Sequence, residues 1–364
     1  MNSFWRVLSG GLILLAGFVA SSNGQQPNPL TPQPLNPSDS RTFREVRNCA
    51  MCHPAQAKPQ PGTSMAHATE TVAECGVLRS HPLLAFRSGG YSYKIERKGD
   101  ESIYTVTQGT DTLSISLKYA VGLGSAGQTY VFEKDGALYE SLVSYFRAID
   151  SLDVTLGDQN IRPTSLLEAA GRQLGTREAT LCLNCHASNA LVDSKLSLAT
   201  LVPGVQCERC HGDTRNHLEG LRKGDATLFA MKDLRGMSAE DAAHYCGQCH
   251  RTWEQIASNG PRGTANVRFQ PYRLTNSRCF DADDKRISCL ACHDPHQEVD
   301  RISQHYDSKC IACHGGGKPA AKACPVSASN CASCHMPKTE LVGGHHKFTD
   351  HEIRVVRQGA PYPD

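Results

Sequence analysis

GVQCERCHGDTRNH, residues 204–217, sets two cysteines three positions apart, a histidine directly after the second, and another histidine six residues further on. Alone, the stretch admits half of a zinc site, a disulfide pair or coincidence. The rest of the chain decides. The same pentad, C-x-x-C-H, occurs seven times: CAMCH at Cys49–His53, CLNCH at Cys182–His186, CERCH at Cys207–His211, CGQCH at Cys246–His250, CLACH at Cys289–His293, CIACH at Cys310–His314 and CASCH at Cys331–His335. Every C-x-x-C in the sequence is followed at once by His.

Zinc ribbons also pair C-x-x-C motifs, but tetrahedral coordination gives no reason for a histidine after each pair. A disulfide framework suits an exported chain, yet it leaves the seven trailing histidines unexplained. The pentad is the attachment signature of c-type haem: two thiols add across the two vinyl groups of one porphyrin, and the next residue coordinates the iron from beneath. The sequence therefore predicts seven covalently bound haem c groups. The thioether cysteines are Cys49, Cys52, Cys182, Cys185, Cys207, Cys210, Cys246, Cys249, Cys289, Cys292, Cys310, Cys313, Cys331 and Cys334, and the proximal iron ligands are His53, His186, His211, His250, His293, His314 and His335.

The pentads are unevenly spread. Six crowd into residues 182–335, about 26 residues per motif, too few for a conventional layered core. The expected fold is that of a multihaem cytochrome c, mainly short α-helices and loops wrapped around stacked haems, with a small antiparallel β insert. The insert is read from YSYKIER, SIYTVTQ, DTLSISLKY, QTYVFEK and ALYESLVSYF, which alternate or are rich in β-branched and aromatic residues, with KGDE, QGT and KDG as turn signals between them. Inside it, VGLGSAG has glycines in G-x-G-x-x-G order, but the following run is strand-like, so the helix a dinucleotide needs is missing.

The expected organisation is a signal peptide over 1–24, a Pro-rich tether over 25–44, a first haem-binding segment over 45–90, a haem-free β-rich insert over 91–165, and a six-haem-binding domain over 166–364. The leader has Arg6 before an apolar run ending near Ala20, the layout of a secretory signal. That run is too short and glycine-interrupted for a permanent span, so no mature transmembrane span and a periplasmic location are expected. PNPLTPQPLNPSDS after it suits an extended tether.

Nine histidines remain after the pentads: His67, His81, His217, His244, His296, His305, His345, His346 and His351. Nine candidates for seven sixth positions imply mostly bis-His iron, and two imidazoles give a lower potential than His with Met. The distal candidates are His67, His217, His244, His296, His305, His351 and His346, the last competing with its neighbour His345. Cys75, Cys279 and Cys324 lie outside the pentads, and either a disulfide between two of them or plain burial accounts for them. The formal charge of +2 omits the cofactors; seven haems, each with two propionates and one net positive iron, would bring it to roughly −5. No nucleic-acid footprint survives, and a redox partner with a basic patch is expected.

GVQCERCHGDTRNH, CHPAQ…SMAHA and CHMPK…HHKFTDHEIRVV together resemble multihaem cytochromes of the c-554 type, relatives of hydroxylamine oxidoreductase and of multihaem nitrite and tetrathionate reductases. The resemblance covers residues 49–75 and about 180–356. It implies distal roles for His217, His67 and His351, and closely packed parallel and perpendicular haem pairs. No C-x-x-C-K occurs, so the lysine-ligated catalytic haem of pentahaem nitrite reductases has no counterpart, and the family's catalytic Tyr, Arg and His cluster finds no matching positions. Two functions follow as expectations: a heptahaem carrier passing single electrons between other redox proteins or from a membrane quinol-oxidising complex, or an oxidoreductase with one open-site haem acting on a small nitrogen or sulfur oxyanion. A third, a structural subunit of a redox complex, would use the sheet for docking.

Overall fold

The structure is a computed structural model that describes residues 49–212, 214–225, 227, 234–315, 323–357 and 359–363. The leader and the tether lie outside the described residues.

Alternation builds the sheet. In β3 (Tyr91–Lys98) Tyr91, Tyr93 and Ile95 point inward, and in β4 (Glu101–Gln108) Ser102, Tyr104 and Val106 do so. These follow β1 (Thr69–Thr71) and β2 (Leu83–Ser88). β5 (Asp111–Val121), β6 (Thr129–Lys134), β7 (Ala137–Ser141), β8 (Val143–Phe146), β9 (Ser151–Val154) and β10 (Gly171–Gln173) complete the set. Two-residue turns pin the register: Gly89 and Gly90 join β2 to β3, and Asp135 and Gly136 join β6 to β7, all four with positive φ, as the right-handed twist of a hairpin requires.

The strands run antiparallel in the order β10-β7-β6-β5-β4-β3-β2, with β1 also on β5, an eight-stranded sheet. β5 makes it curl. Its first half pairs with β4, the register shifts between Leu117 and Tyr119, and its second half pairs with β6 and β1, a bulge that bends the strand. The β8–β9 hairpin packs against β6 and β2. Inside, the Tyr104 ring lies between Tyr93 (6.5 Å) and Phe132 (6.2 Å), and Phe132 stacks on Tyr139 at 5.1 Å.

This corrects the expected fold class. The chain is not a mainly helical haem-wrapping fold with a small insert, because a large curled sheet gathers strands from Thr69 to Gln173. The three-residue strands β1 and β10 are too short to show a period, and tertiary pairing recruits them. VGLGSAG is the β5–β6 connection. A Cβ on Gly122 would lie 2.6 Å from the Gly127 carbonyl oxygen, and one on Gly124 2.9 Å from the Tyr145 ring. The glycines serve a tight backbone approach.

Beyond the sheet the helices among the described residues are short, the longest twelve residues (Ala239–His250). No helix among the described residues is long and apolar enough to cross a membrane. The segment around the first pentad is sewn to that around the third: Val205 N donates to the Met65 carbonyl at 2.9 Å and Gln60 Nε2 to the Val205 carbonyl at 2.8 Å. The Ala68 carbonyl, just before β1, accepts from Gly122 N at 2.9 Å and from His186 Nδ1 at 3.2 Å. A C-terminal hairpin, Lys338–Leu341 with His346–Thr349, completes the chain's order.

Candidate haem centres

Each pentad forms one helical turn or the last turn of a helix. CLNCH ends Thr176–His186, CGQCH ends Ala239–His250, CIACH ends Asp307–His314, CERCH and CASCH are five-residue helices, CLAC is a four-residue one, and CAM is a 3-10 turn. In a helical turn residues three and four apart share a face, so two thiols and the following imidazole are presented together. The turn is closed by the histidine amide bonding back to the first cysteine carbonyl, at 2.7 Å for His53 on Cys49 and 2.9 Å for His293 on Cys289. Ser238 and Ser288 cap their helices by accepting from Asp241 N and Ala291 N.

The pentads lie against one another. Free thiols of different pentads come close to each other: Cys49 to Cys207, Cys185 to Cys249, Cys246 to Cys289, and Cys310 to Cys331. Tyr245 donates to the Cys210 carbonyl, and Arg209 reaches both the Asn184 carbonyl (2.9 Å) and Cys249 Sγ (3.7 Å).

Three imidazole pairs form across the chain. His53 faces His217 at 6.2 Å between ring centres, His211 faces His296 at 6.1 Å, and His293 faces His351 at 6.2 Å. An imidazole nitrogen sits about 2 Å from a bound transition metal and the ring centre about 1.2 Å behind it, so two rings flanking one ion have centres about 6.4 Å apart. The residues fit the group: a pair of facing imidazoles would supply two iron ligands, and the pentad cysteines beside them would hold the porphyrin.

The other ring nitrogen is also engaged. Metal-ligating imidazoles donate their second N–H to a carbonyl or carboxylate, which fixes tautomer and orientation. Nδ1 does so in His351 (Thr349 carbonyl, 3.0 Å), His186 (Ala68 carbonyl, 3.2 Å), His335 (Arg354 carbonyl, 2.8 Å), His67 (Glu70, 2.9 Å), His296 (Asp294, 3.0 Å) and His305 (Asp300). Three histidines instead give Nε2 to a carboxylate: His81 to Asp150 (2.9 Å), His345 to Asp153 (2.8 Å) and His244 to Glu254 (3.3 Å). His346 sits edge-on to Phe348 at 4.7 Å.

Burial shifts some of these rings toward the neutral form, the one that binds metal. It lowers His293 and His186, and it lowers His53 together with the charges of His217 and His211. His351 falls to about 4, through burial first and then His293 opposite. His250 is lowered chiefly by burial, although Gln270 opposes this.

Around these histidines lie residues that left no mark in the sequence. His67 and His346 line one cavity of about 550 Å³ with Ser64, Arg147, Glu298 and Arg301. Glu298 is committed there, accepting from Ser64 N (2.6 Å) and Oγ (2.7 Å). Arg273 and Asp350 form a fully buried ion pair beside His351. Burial pushes the Asp350 carboxyl up, but the Arg273 bond, the Glu352 amide and Arg354 outweigh it and hold the group below its usual range. Cys75, Cys279 and Cys324 are all free thiols. Cys75 is fully buried, donates to Gln128 Oε1 at 3.2 Å, and is raised to about 11 by burial.

Comparison with known proteins adds partial likenesses. The family described as cytochrome c554 and c-prime matches residues 145–212, which hold two of the pentads and the end of the sheet. A multiheme cytochrome MtrA from Shewanella baltica (strain OS185) is 22% identical over 162 residues, and the chain spans 41% of that relative's length and is itself matched over 41%. No solved structure matches. With the pentads, these likenesses support a multihaem c-type cytochrome that carries covalently bound haem c.

Proposed function

We propose that the chain is a heptahaem electron carrier of the periplasm, passing single electrons between redox partners through closely spaced, mostly bis-His haems. One observation carries the reading: three pentad histidines, His53, His211 and His293, each stand opposite a histidine from a distant part of the chain at the spacing of two axial ligands. In this reading the fourteen pentad cysteines hold the haems, the seven pentad histidines are proximal, and His217, His296 and His351 are distal, with His67, His305 and His346 for the others.

When bound, haem supplies reversible one-electron oxidation and reduction. The chain's residues then do three things. The pentad turns fix the distance from sulfur to imidazole, carbonyls and carboxylates on Nδ1 hold His186, His335, His351, His67, His296 and His305 in the ligating tautomer, and the contacts between pentads keep neighbouring sites close enough for electron hopping. The leader-like segment and the need to attach haem outside the cytoplasm support export. A holoprotein charge of roughly −5 favours a partner with a basic surface, such as another redox protein or a membrane quinol-oxidising complex.

A second reading, an oxidoreductase with one open haem, is favoured by the cavity lined by His67, His346, Arg147 and Arg301, where a nitrogen or sulfur oxyanion would find cationic donors. Pyridine haemochrome and intact mass on protein from a cytochrome-maturing host should count seven haems, and far fewer would sink the carrier reading. Electron paramagnetic resonance of the oxidised protein, with carbon monoxide added to the reduced form, separates the two: seven low-spin, unreactive haems defeat the enzyme, and one stoichiometric high-spin signal defeats the pure carrier.

A further inference from the structure

We propose that the buried Arg273–Asp350 pair positions the axial histidines of two haems at once, the one held by His335 and the one between His293 and His351; this rests on the reading above. Neither side chain is exposed to solvent. Arg273 Nε donates to Asp350 Oδ1 at 2.9 Å and Nη2 to Oδ2 at 3.0 Å, the bidentate fork. Nη2 also meets Glu352 at 2.6 Å, Nη1 donates to the Pro363 carbonyl at 3.0 Å, and the guanidinium covers the Tyr362 ring at 4.6 Å. Arg354 Nη1 adds a second cation on Asp350 Oδ2 at 2.6 Å.

Two arms leave this hub. In one, Asp350 N donates to the Pro337 carbonyl at 3.0 Å, Arg354 N to the His335 carbonyl at 3.2 Å, and His335 Nδ1 back to the Arg354 carbonyl at 2.8 Å. In the other, His351 directly follows Asp350. Its carbonyl accepts from Ser277 Oγ at 3.2 Å, and Ser277 Oγ accepts from Ile353 N at 2.8 Å. The six residues from Thr349 to Arg354 are thereby fixed along their length, with an axial ring on each arm. A buried ion pair is a poor source of stability beside apolar side chains of the same volume. What it supplies is a single geometry, and here that geometry is shared by two imidazoles.

The experiment uses the haem-loaded full chain. Asp350→Asn keeps shape but removes the charge that holds both arms, and Ser277→Ala, a mild change, cuts only the His351 arm. Haem content by pyridine haemochrome, low-spin g values by electron paramagnetic resonance, and potentials by film voltammetry are read on each. The expected result is a full haem count with the g values and potentials of two haems altered in Asp350→Asn and of one in Ser277→Ala. Should Asp350→Asn not accumulate, Ser277→Ala carries the test alone. Spectra and potentials of a fully loaded variant that match the unmutated protein, or a uniform shift of all haems, overturn the proposal. The haem count of the unmutated protein, taken alongside, tells that outcome from failure of the underlying reading.

Discussion

Two regions of one chain bury their interiors by different means. Between Thr69 and Gln173 the sheet closes on Ile95, Tyr104, Val106, Tyr130, Phe132, Val143 and Leu152, all at or below 1% exposure, an apolar core of the ordinary kind. From Thr176 onward the compact apolar cluster is Leu183, Ala187 and Ala190, and the fully buried positions include Asn266, Arg273 and Asp350. One region carries its own driving force. The other has rings, thiols and ion pairs set to grip something the polypeptide does not supply. On the proposed reading, stability in the first is a matter of side-chain volume, and in the second of loading.

The sharpest way to break that comparison is to withhold the cofactor. Chain made without haem attachment should keep a protease-resistant core spanning the sheet while residues beyond about 176 are digested, read by limited proteolysis with mass spectrometry; uniform resistance along the whole chain would erase the distinction. Next in size, Phe132→Ala removes a fully buried ring and should cost about 3–5 kcal/mol in denaturant unfolding of the sheet, with haem count and potentials unmoved. Smallest is Gly124→Ala: the positive φ of 76° and the 2.9 Å approach to Tyr145 predict a loss of about 1–2 kcal/mol, confined to the sheet transition.

Legibility followed the range of the chemistry. The pentads could be read because five consecutive residues carry the whole signature, and the hairpins because Gly-Gly and Asp-Gly need no distant partner. The size of the sheet was hidden, since β1 and β10 are strands only by virtue of β5 and β7. Which histidines face each other was hidden too, because His53 meets His217 and His293 meets His351 only through the tertiary fold. His81 and His345 looked like spare ligands until Asp150 and Asp153 took their Nε2 atoms. Nothing local in FQPYRLTNS announces that Arg273 will be wholly enclosed.

The Ala68 carbonyl, just before the sheet, accepts from His186, past the sheet's end in sequence, so the chain leaves and re-enters the pentad framework at nearly one point. Closing a longer loop between fixed ends costs only logarithmically more, which makes the sheet a removable excursion. A gene in which a short linker replaced it would still bring the first two attachment sequences to the same neighbourhood.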